Sequence, residues 1–283
     1  MISIILSGGA AKGGIEVGML KAILEKYRYD QIEIITGTSV GSLNGALVAQ
    51  QEFEKLIEIW RSIKSWKDIY RNWFLGYLQG FFMGGMVSFS PMEKIIEKNI
   101  TEKIFDSPID YYACDVNLYN HEITYTGNKE KKDISLLRKH ILASASMVPN
   151  FRPIKIGEGL FTDGGAKEQI PVKQAVEKAT DTDTFFILLT KKSKLTYSSS
   201  PIKNNLFNVI ERPVDCLSDE IWESDIVVGK EKYWSDPNKF LVIEPTKNHV
   251  NNFKDAINPE NIQKDIQHGY EVARKAMIEK GLW

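Results

Sequence analysis

The feature that most constrains this chain is a serine flanked by glycines, placed between an apolar run and a stretch of small residues. Residues 32–36 are rich in β-branched side chains, which predicts a buried strand. The next five residues have the pattern Gly-x-Ser-x-Gly, and small and apolar residues follow at helical spacing. We therefore predict a strand, a sharp turn with Ser39 at its apex, and a helix. In such a nucleophile elbow, Gly37 and Gly41 let strand and helix approach closely, and the helix dipole points toward Ser39.

A second glycine-rich turn follows the first apolar run of the chain. Residues 2–6 predict a strand buried on both faces of a sheet, and residues 15–26 predict a helix with one apolar face. The loop between them reads Ser7-Gly8-Gly9-Ala10-Ala11-Lys12-Gly13-Gly14. The N–H groups of such a loop and the dipole of the following helix converge on one point, which favours a negative charge there. The sequence therefore predicts an anion-binding turn.

Three functions are compatible with this turn, and neighbouring residues discriminate between them. A dinucleotide-binding fingerprint requires glycine where Ala10 stands and an acid at the end of the next strand, where the chain has Thr36. A phosphate-binding P-loop requires Gly-Lys-Ser/Thr, but Lys12 precedes a glycine and no hydroxyl follows. An oxyanion hole requires only N–H donors beside a nucleophile. Because the next strand leads to Ser39, the sequence favours the oxyanion hole.

Composition argues against several other classes of protein. Of the 283 residues, 43% are hydrophobic and 26% are charged, which is typical of a globular protein with a sizeable core. A net charge of -1 without a basic cluster argues against a nucleic-acid partner. Two cysteines, Cys114 and Cys216, make neither a disulfide framework nor a zinc site of usual spacing, and we expect no metal or other cofactor. The N-terminal apolar run is too short for a signal peptide, and no stretch of about 18 apolar residues follows, so we expect a cytoplasmic or peripheral membrane protein.

Strand and helix patterns alternate along the whole chain, without an internal repeat or a clear domain boundary. This alternation predicts a single three-layer α/β/α domain over residues 1–283, with a mainly parallel central sheet. Beyond the elbow, helices are expected at residues 51–63, 91–99, 134–145, 171–179, 214–233 and 258–281. Strands are expected at residues 111–117, 122–126, 154–156, 160–162, 184–190 and 240–243.

Two segments do not follow this pattern. Residues 73–87, the centre of a segment at 70–90, are crowded with aromatic and Met side chains but interrupted by glycines. Such a segment is either a packed apolar cap over the sheet or an acyl-chain pocket and mobile lid, and the two are compatible. Residues 191–205 are rich in Ser, Lys and Asn, which predicts a surface loop.

A serine hydroxyl needs a base before it acts as a nucleophile, and the chain offers two candidates. Of the four histidines, three are expected to be surface or packed residues: His121, His140 and His268. The fourth, His249, would complete the order Ser39, Asp163, His249 of an α/β-hydrolase triad, although such folds place more strands ahead of the elbow. The second candidate is Asp163 itself, which ends an apolar strand and precedes two glycines; the same residues are also compatible with an ordinary Asp-Gly turn.

Together these motifs resemble the patatin-like phospholipases. The resemblance covers residues 1 to about 175 and rests on the early glycine-rich loop, the elbow, residues 143–151 and Asp163-Gly164-Gly165. It implies a three-layer α/β sandwich that cleaves acyl esters of lipids through a Ser39–Asp163 dyad without a metal. It further implies a membrane phospholipid or other lipid ester as substrate. The oxyanion hole and substrate-binding groups are expected at Gly8, Gly9, Ala10, Ala11, Lys12, Gly13 and Val40.

The chain departs from the family pattern at two positions. Ala10 stands where a third glycine is usual, and alanine restricts the backbone to negative φ more strictly. Gln169 stands two residues before Pro171, where the family commonly has Asn, so the setting of the loop after Asp163 is open. A serine hydrolase with a Ser39–Asp163–His249 triad, a non-catalytic lipid-binding module and a nucleotide-binding protein remain the alternatives.

Overall fold

The computed structural model describes residues 1–71, 82, 84–193, 206–234, 236–249 and 258–283. Most of the glycine-interrupted aromatic segment and of the 191–205 loop therefore lies outside the described residues. The strands are β1 (Ile2–Leu6), β2 (Ile32–Thr38), β3 (Asp110–Asn117), β4 (Ile123–Gly127), β5 (Ile154–Ile156), β6 (Gly159–Asp163), β7 (Thr184–Leu188) and β8 (Phe240–Ile243). The helices are α1 (Gly14–Lys26), α2 (Val40–Ala49), α3 (Phe53–Ser62), α4 (Ser90–Asn99), α5 (Ile134–Ser144), α6 (Val172–Lys178), α7 (Leu206–Val228) and α8 (Pro259–Glu279).

These strands form one mixed sheet with a parallel centre. Its order is β5-β6-β3-β2-β1-β7-β8, and β4 pairs with β3 outside this path. The five strands from β3 to β8 in that order run parallel, whereas β4 and β6 run antiparallel to β3. The expected hairpin partners and the parallel centre are thus both present.

Strand β3 positions the C-terminal ends of β2 and β6 relative to each other. Its pairing with β2 ends at the Thr38–Cys114 pair, and its pairing with β6 begins at the next residue, with Asp115 opposite Asp163. A strand has only two edges, and β4 occupies the other edge over Tyr112–Val116. Strands β2 and β6 therefore follow one another along the same edge of β3, and their C-terminal ends meet.

Helices cover both faces of the sheet, and the side-chain alternation of the strands explains why. On β1, Ile4 belongs to the core cluster that contains α1, α2, α3 and α8, whereas Ile5 belongs to the cluster that contains α6 and Trp222 of α7. On β2, Ile35 and Ile34 divide in the same way. Because successive side chains point to opposite faces, a strand that is apolar throughout requires a helical layer on each side. The three-layer α/β/α prediction is confirmed.

The helix expected at 214–233 differs in extent from the prediction. It begins at Leu206, continues through Pro213 and ends at Val228, after which residues 229–233 form a π-helical turn. Proline removes one backbone hydrogen bond and favours a helix start, which is why the sequence pattern placed the start after it. In the structure Pro213 is exposed, while Trp222 in the same helix is fully buried and anchors it to the sheet.

The C-terminal helix packs on α1 at a contact where glycines face backbone. A Cβ on Gly18 would lie 2.7 Å from the backbone nitrogen of Tyr270, and a Cβ on Gly269 would lie 2.9 Å from the carbonyl carbon of Ile15. Backbone atoms cannot move aside as a flexible side chain can. The close approach of α1 and α8 therefore depends on the missing side chains at both positions. Within the described part of the chain, no helix has the length and apolar character needed to cross a membrane.

The change in stability caused by Gly269→Ala tests this contact, because helix propensity and packing predict changes of opposite sign. Helix propensity alone favours alanine by roughly 1 kcal/mol, whereas forcing a methyl group into a packed backbone contact costs about 1–3 kcal/mol. We expect Gly269→Ala to lower the free energy of unfolding in urea denaturation. The matched control is Lys275→Ala at an exposed position of the same helix, which should change it by less than about 0.5 kcal/mol. Stabilisation by Gly269→Ala would contradict the packing described here.

Candidate active site

The turn at Ser39 has the close geometry that the glycines permit. Strand β2 ends at Thr38, helix α2 begins at Val40, and Ser39 between them has φ 56° and ψ -125°. A positive φ at a residue with a side chain is strained, by about 1–3 kcal/mol. A Cβ on Gly37 would lie 2.5 Å from the carbonyl carbon of Gly41, and a Cβ on Gly41 would lie 2.7 Å from the carbonyl oxygen of Leu6. The strand, turn and helix expected at the elbow are all present.

Hydrogen bonds from the end of α5 hold this strained turn. The backbone N–H of Ser39 donates to the Ser144 hydroxyl oxygen at 3.0 Å, and that hydroxyl donates to the carbonyl oxygen of Cys114 at 2.6 Å. Ser144 thereby ties the elbow to β3. Ser39 as a whole residue is 8% exposed. It lies at the base of the site rather than on the open surface.

Asp163 lies at the end of β6 with its side chain almost completely buried. Its Oδ1 accepts the backbone N–H of Gly165 at 2.8 Å, which caps the short 3-10 turn Gly164–Ala166. The side chain of Ser39 lies near enough to this carboxyl group to lower its pKa. Asp163 therefore makes the Asp-Gly turn and also faces the serine, so the two interpretations of the sequence are not exclusive.

The surroundings of Asp163 raise its affinity for a proton. Burial raises the pKa of Asp163 from 3.8 to about 7, and the negative charge of Asp115 acts in the same direction. The Ser39 side chain and the hydrogen bond from the Gly165 amide oppose this rise. Burial dominates because a carboxylate loses its hydration without gaining a cationic partner. A carboxyl group with a pKa near 7 is matched to proton transfer near neutral pH.

A second buried acid lies opposite Asp163 on the neighbouring strand β3. Asp115 of β3 is fully buried, and its Oδ2 lies 2.6 Å from Nδ1 of His140 on α5. Its other oxygen, Oδ1, has no hydrogen-bond partner among the described residues. Burial raises the pKa of Asp115, and the interaction with His140 opposes the rise. His140 is a packed residue, as expected, but its pairing with an acid beside Asp163 was not predicted. An acidic residue inside an otherwise apolar strand was the available signal.

The glycine-rich loop lies against the elbow. A Cβ on Gly8 would lie 3.6 Å from the Cβ of Ser39, so no side chain separates the two backbones. The amide of Gly8 donates to the carbonyl oxygen of Gln169 at 2.9 Å, which differs from the expectation that Gly8 is an oxyanion donor. Within the described residues, the amides of Gly9 and Ala10 donate to no protein acceptor, and both residues reach the surface.

Ala10 adopts the conformation that its residue type disfavours. Its φ is 48°, in the left-handed region, where alanine replaces the glycine of the family pattern. The preference of alanine for negative φ is therefore overridden at this position. Ala10 opens the short helical turn Ala10–Gly13, which leads directly into α1. The strain is another cost of about 1–3 kcal/mol at this site.

The remaining loop residues follow in a tight turn against α2. A Cβ on Gly13 would lie 3.0 Å from a methyl carbon of Val40, which is the first residue of the helix after the serine. The first amides of a helix have no acceptor within it, so the Val40 amide is a further donor beside Ser39. Ala11 and Lys12 are partly exposed at the rim. The structure thus places Gly8 against Ser39 and Gly13 against Val40.

A buried polar network beneath the loop was not predicted. The side chain of Asn44 on α2 donates to the carbonyl oxygen of Gly13 at 3.2 Å and to Glu16 of α1 at 3.0 Å, and accepts from the indole of Trp60 at 2.9 Å. Glu16 is completely buried, and burial raises its pKa well above the ordinary value. This network joins the helix after the loop to the helix after the elbow. It fixes the two turns relative to each other.

The histidine of the alternative triad is paired elsewhere. Both the backbone N–H and Nδ1 of His249 lie 2.8 Å from Oδ1 of Asp265 on α8. His249 therefore has an acid partner other than Asp163. Among the described residues, no group of three or more His, Cys, Asp or Glu side chains is arranged to hold a metal ion.

Comparison with known proteins adds a family. The sequence model of the patatin-like phospholipase family matches residues 4–176. Neuropathy target esterase sws of Drosophila persimilis is 29% identical over 174 residues, which are 60% of this chain and 11% of that protein. The Drosophila melanogaster protein of the same name is 28% identical over 174 residues, with 12% of its length covered. The chain thus spans 11 to 12% of the length of these curated relatives.

A solved structure agrees on the fold. The crystal structure of VipD from Legionella pneumophila superposes with a TM-score of 0.54 at 13% sequence identity, covering 98% of this chain and 67% of that one. At this identity the similarity concerns the fold alone.

The burial of Asp163 predicts a pH-dependent stability difference. Folding raises its pKa from 3.8 to about 7, so its contribution to stability is fully present below about pH 4 and is lost as the pH rises through 7. Asn at this position carries no charge at any pH. We therefore expect Asp163→Asn to gain stability over the wild type as the pH rises from about 4 to about 8. Urea denaturation of both proteins at several pH values measures this gap, and a constant gap would contradict it.

Proposed function

Since the chain belongs to the patatin-like phospholipase family, we propose that it is a lipid acyl hydrolase with Ser39 as nucleophile and Asp163 as general base. The observation that carries the proposal is the meeting of these two side chains where β2 and β6 end on one edge of β3. The family match supports the reaction class, and the curated relatives are named as esterases. The substrate is an acyl ester of a lipid, presented by a membrane phospholipid or another lipid.

In the first step, Asp163 accepts the proton of the Ser39 hydroxyl as its oxygen attacks the ester carbonyl carbon. The carbonyl oxygen becomes an oxyanion in a tetrahedral intermediate. The Gly9, Ala10 and Val40 amides are the donors available to it, because the Gly8 amide is occupied by Gln169. Each well-aimed donor of this kind is worth about 10²–10³ in rate.

In the second half of the reaction, the carboxyl group of Asp163 first donates a proton and then accepts one. Collapse of the intermediate expels the alcohol, which takes the proton from Asp163, and leaves the acyl group on Ser39. Asp163 then accepts a proton from water as the water attacks the acyl-enzyme. It returns that proton to the Ser39 oxygen as the second tetrahedral intermediate collapses to the fatty acid and free Ser39. A carboxyl group with a pKa of about 7 gives and takes this proton at similar cost near neutral pH.

Three variants separate the dyad from the triad. We expect Ser39→Ala to abolish hydrolysis of a short-chain p-nitrophenyl ester, and Asp163→Asn to lower kcat by about 10²–10⁴ because the base is lost. His249→Ala should retain activity, since His249 pairs with Asp265. Equal loss in His249→Ala and Ser39→Ala would favour the triad. Lipid binding without turnover, and without labelling of Ser39 by a fluorophosphonate, would favour a non-catalytic lipid-binding module.

The pH profile provides an independent check of the base. Activity requires the deprotonated form of Asp163, so kcat/KM should rise with pH and level off above an inflection near pH 7. Steady-state hydrolysis between about pH 5 and 9, corrected for spontaneous hydrolysis of the ester, gives the profile. A rate that is already constant from pH 5 upward would contradict a buried carboxyl group as the base.

A further inference from the structure

We infer that Asp225 of α7 is a positioning residue for this site, one that holds the loop after Asp163 in register with the glycine-rich loop. The inference rests on the proposed function. It concerns a helix outside residues 4–176, which the family model matches. The part of the chain without a recognised motif would thereby contribute to catalysis.

The first observation is that Asp225 binds two adjacent backbone amides in the loop after Asp163. A single oxygen of Asp225, Oδ2, accepts two consecutive backbone N–H groups, from Gln169 at 2.6 Å and from Ile170 at 3.0 Å. Two consecutive amides that share one oxygen fix both the position and the direction of the backbone there.

The second observation is that Gln169 lies between the two halves of the site. Its carbonyl oxygen accepts the Gly8 amide at 2.9 Å, which ties it to the glycine-rich loop. Its side-chain Nε2 donates to the carbonyl oxygen of Gly165 at 3.1 Å and to the hydroxyl oxygen of Ser218 on α7 at 2.8 Å. The amide of Gly165, in turn, donates to Asp163. Asp225 is thus linked to Gly8 through Gln169, and to Asp163 through Gln169 and Gly165.

The third observation is that this side chain has no room to move. Gln169 is 5% exposed. A Cβ on Gly8 would overlap its Oε1, and a Cβ on Gly165 would lie 2.6 Å from its Nε2. A shift of the Gln169 backbone would therefore be transmitted to both loops. Since a misplacement of about 1 Å in a reacting group costs up to 10²-fold in rate, the anchor of Gln169 matters to the chemistry.

The experiment compares variants of Asp225 in the full chain. We expect Asp225→Ala to lower kcat for the p-nitrophenyl ester by roughly 10- to 100-fold with little change in KM, because the reacting groups are misaligned. Asp225→Asn keeps an oxygen that accepts both amides and should restore most of kcat. The matched control is Asp219→Ala, which removes an acid of the same helix that pairs with Lys191 instead of the loop. It should leave kcat near the wild-type value.

A structural readout accompanies the kinetics. Hydrogen exchange at the amides of Gly8, Gln169 and Ile170 should accelerate in Asp225→Ala and stay as in the wild type in Asp219→Ala. If Asp225→Ala does not fold, Asp225→Glu replaces it, since the extra methylene displaces the oxygen while the carboxyl group remains, and kcat should again fall.

The possible outcomes distinguish a failure of the inference from a failure of the proposed function. An active wild type with an equally active, folded Asp225→Ala variant overturns the inference and leaves the proposed function intact. Equal losses in Asp225→Asn and Asp225→Ala also overturn it, because the acceptor geometry would then be irrelevant. A wild type that hydrolyses no ester and whose Ser39 resists fluorophosphonate overturns the proposed function, and the inference with it.

Discussion

The edge of β3 is the constraint on which the rest of the site depends. Strand β2 occupies this edge as far as Cys114, and β6 occupies it from Asp115 onward in the opposite direction. Ser39 directly follows the β2 pairing and Asp163 ends the β6 pairing, so backbone hydrogen bonds rather than flexible side chains hold them head to head. Ser39 and Asp163 meet for this reason, although 123 residues lie between them in the sequence. A rigid sheet places reacting groups more accurately than a loop does.

Burial gives the site its chemistry and also its instability. Asp163, Asp115, Glu168 and Asp225 all have raised pKa values, and for each of them burial is the main cause. Acids kept from water favour their protonated forms, which makes Asp163 a stronger base than an exposed aspartate. The positive φ values of Ser39 and Ala10 add backbone strain at the same place. The packed parallel core on both faces of the sheet supplies the stability that offsets these costs.

Much of the fold followed from local pattern. The β-branched runs predicted the central strands, and the spacing of apolar residues predicted the helices to within a few residues. Predictions failed where tertiary packing overrode local preference. Alanine at position 10 takes a left-handed conformation despite its residue type, and α7 runs through Pro213, with Trp222 of the same helix buried in the core. Neither feature is visible in a window of neighbouring residues.

The sequence by itself determined the elbow, the glycine-rich loop and the candidate pair Ser39 and Asp163, because glycine spacing and short apolar runs act locally. Only the tertiary structure decided which groups surround them. His140 beside Asp115, Gln169 against Gly8, and Asp225 beneath the loop come from elements far apart in the chain. Their meeting depends on strand order and helix placement, which result from packing the whole core at once. Residue types and their spacing along the chain do not by themselves reveal that packing.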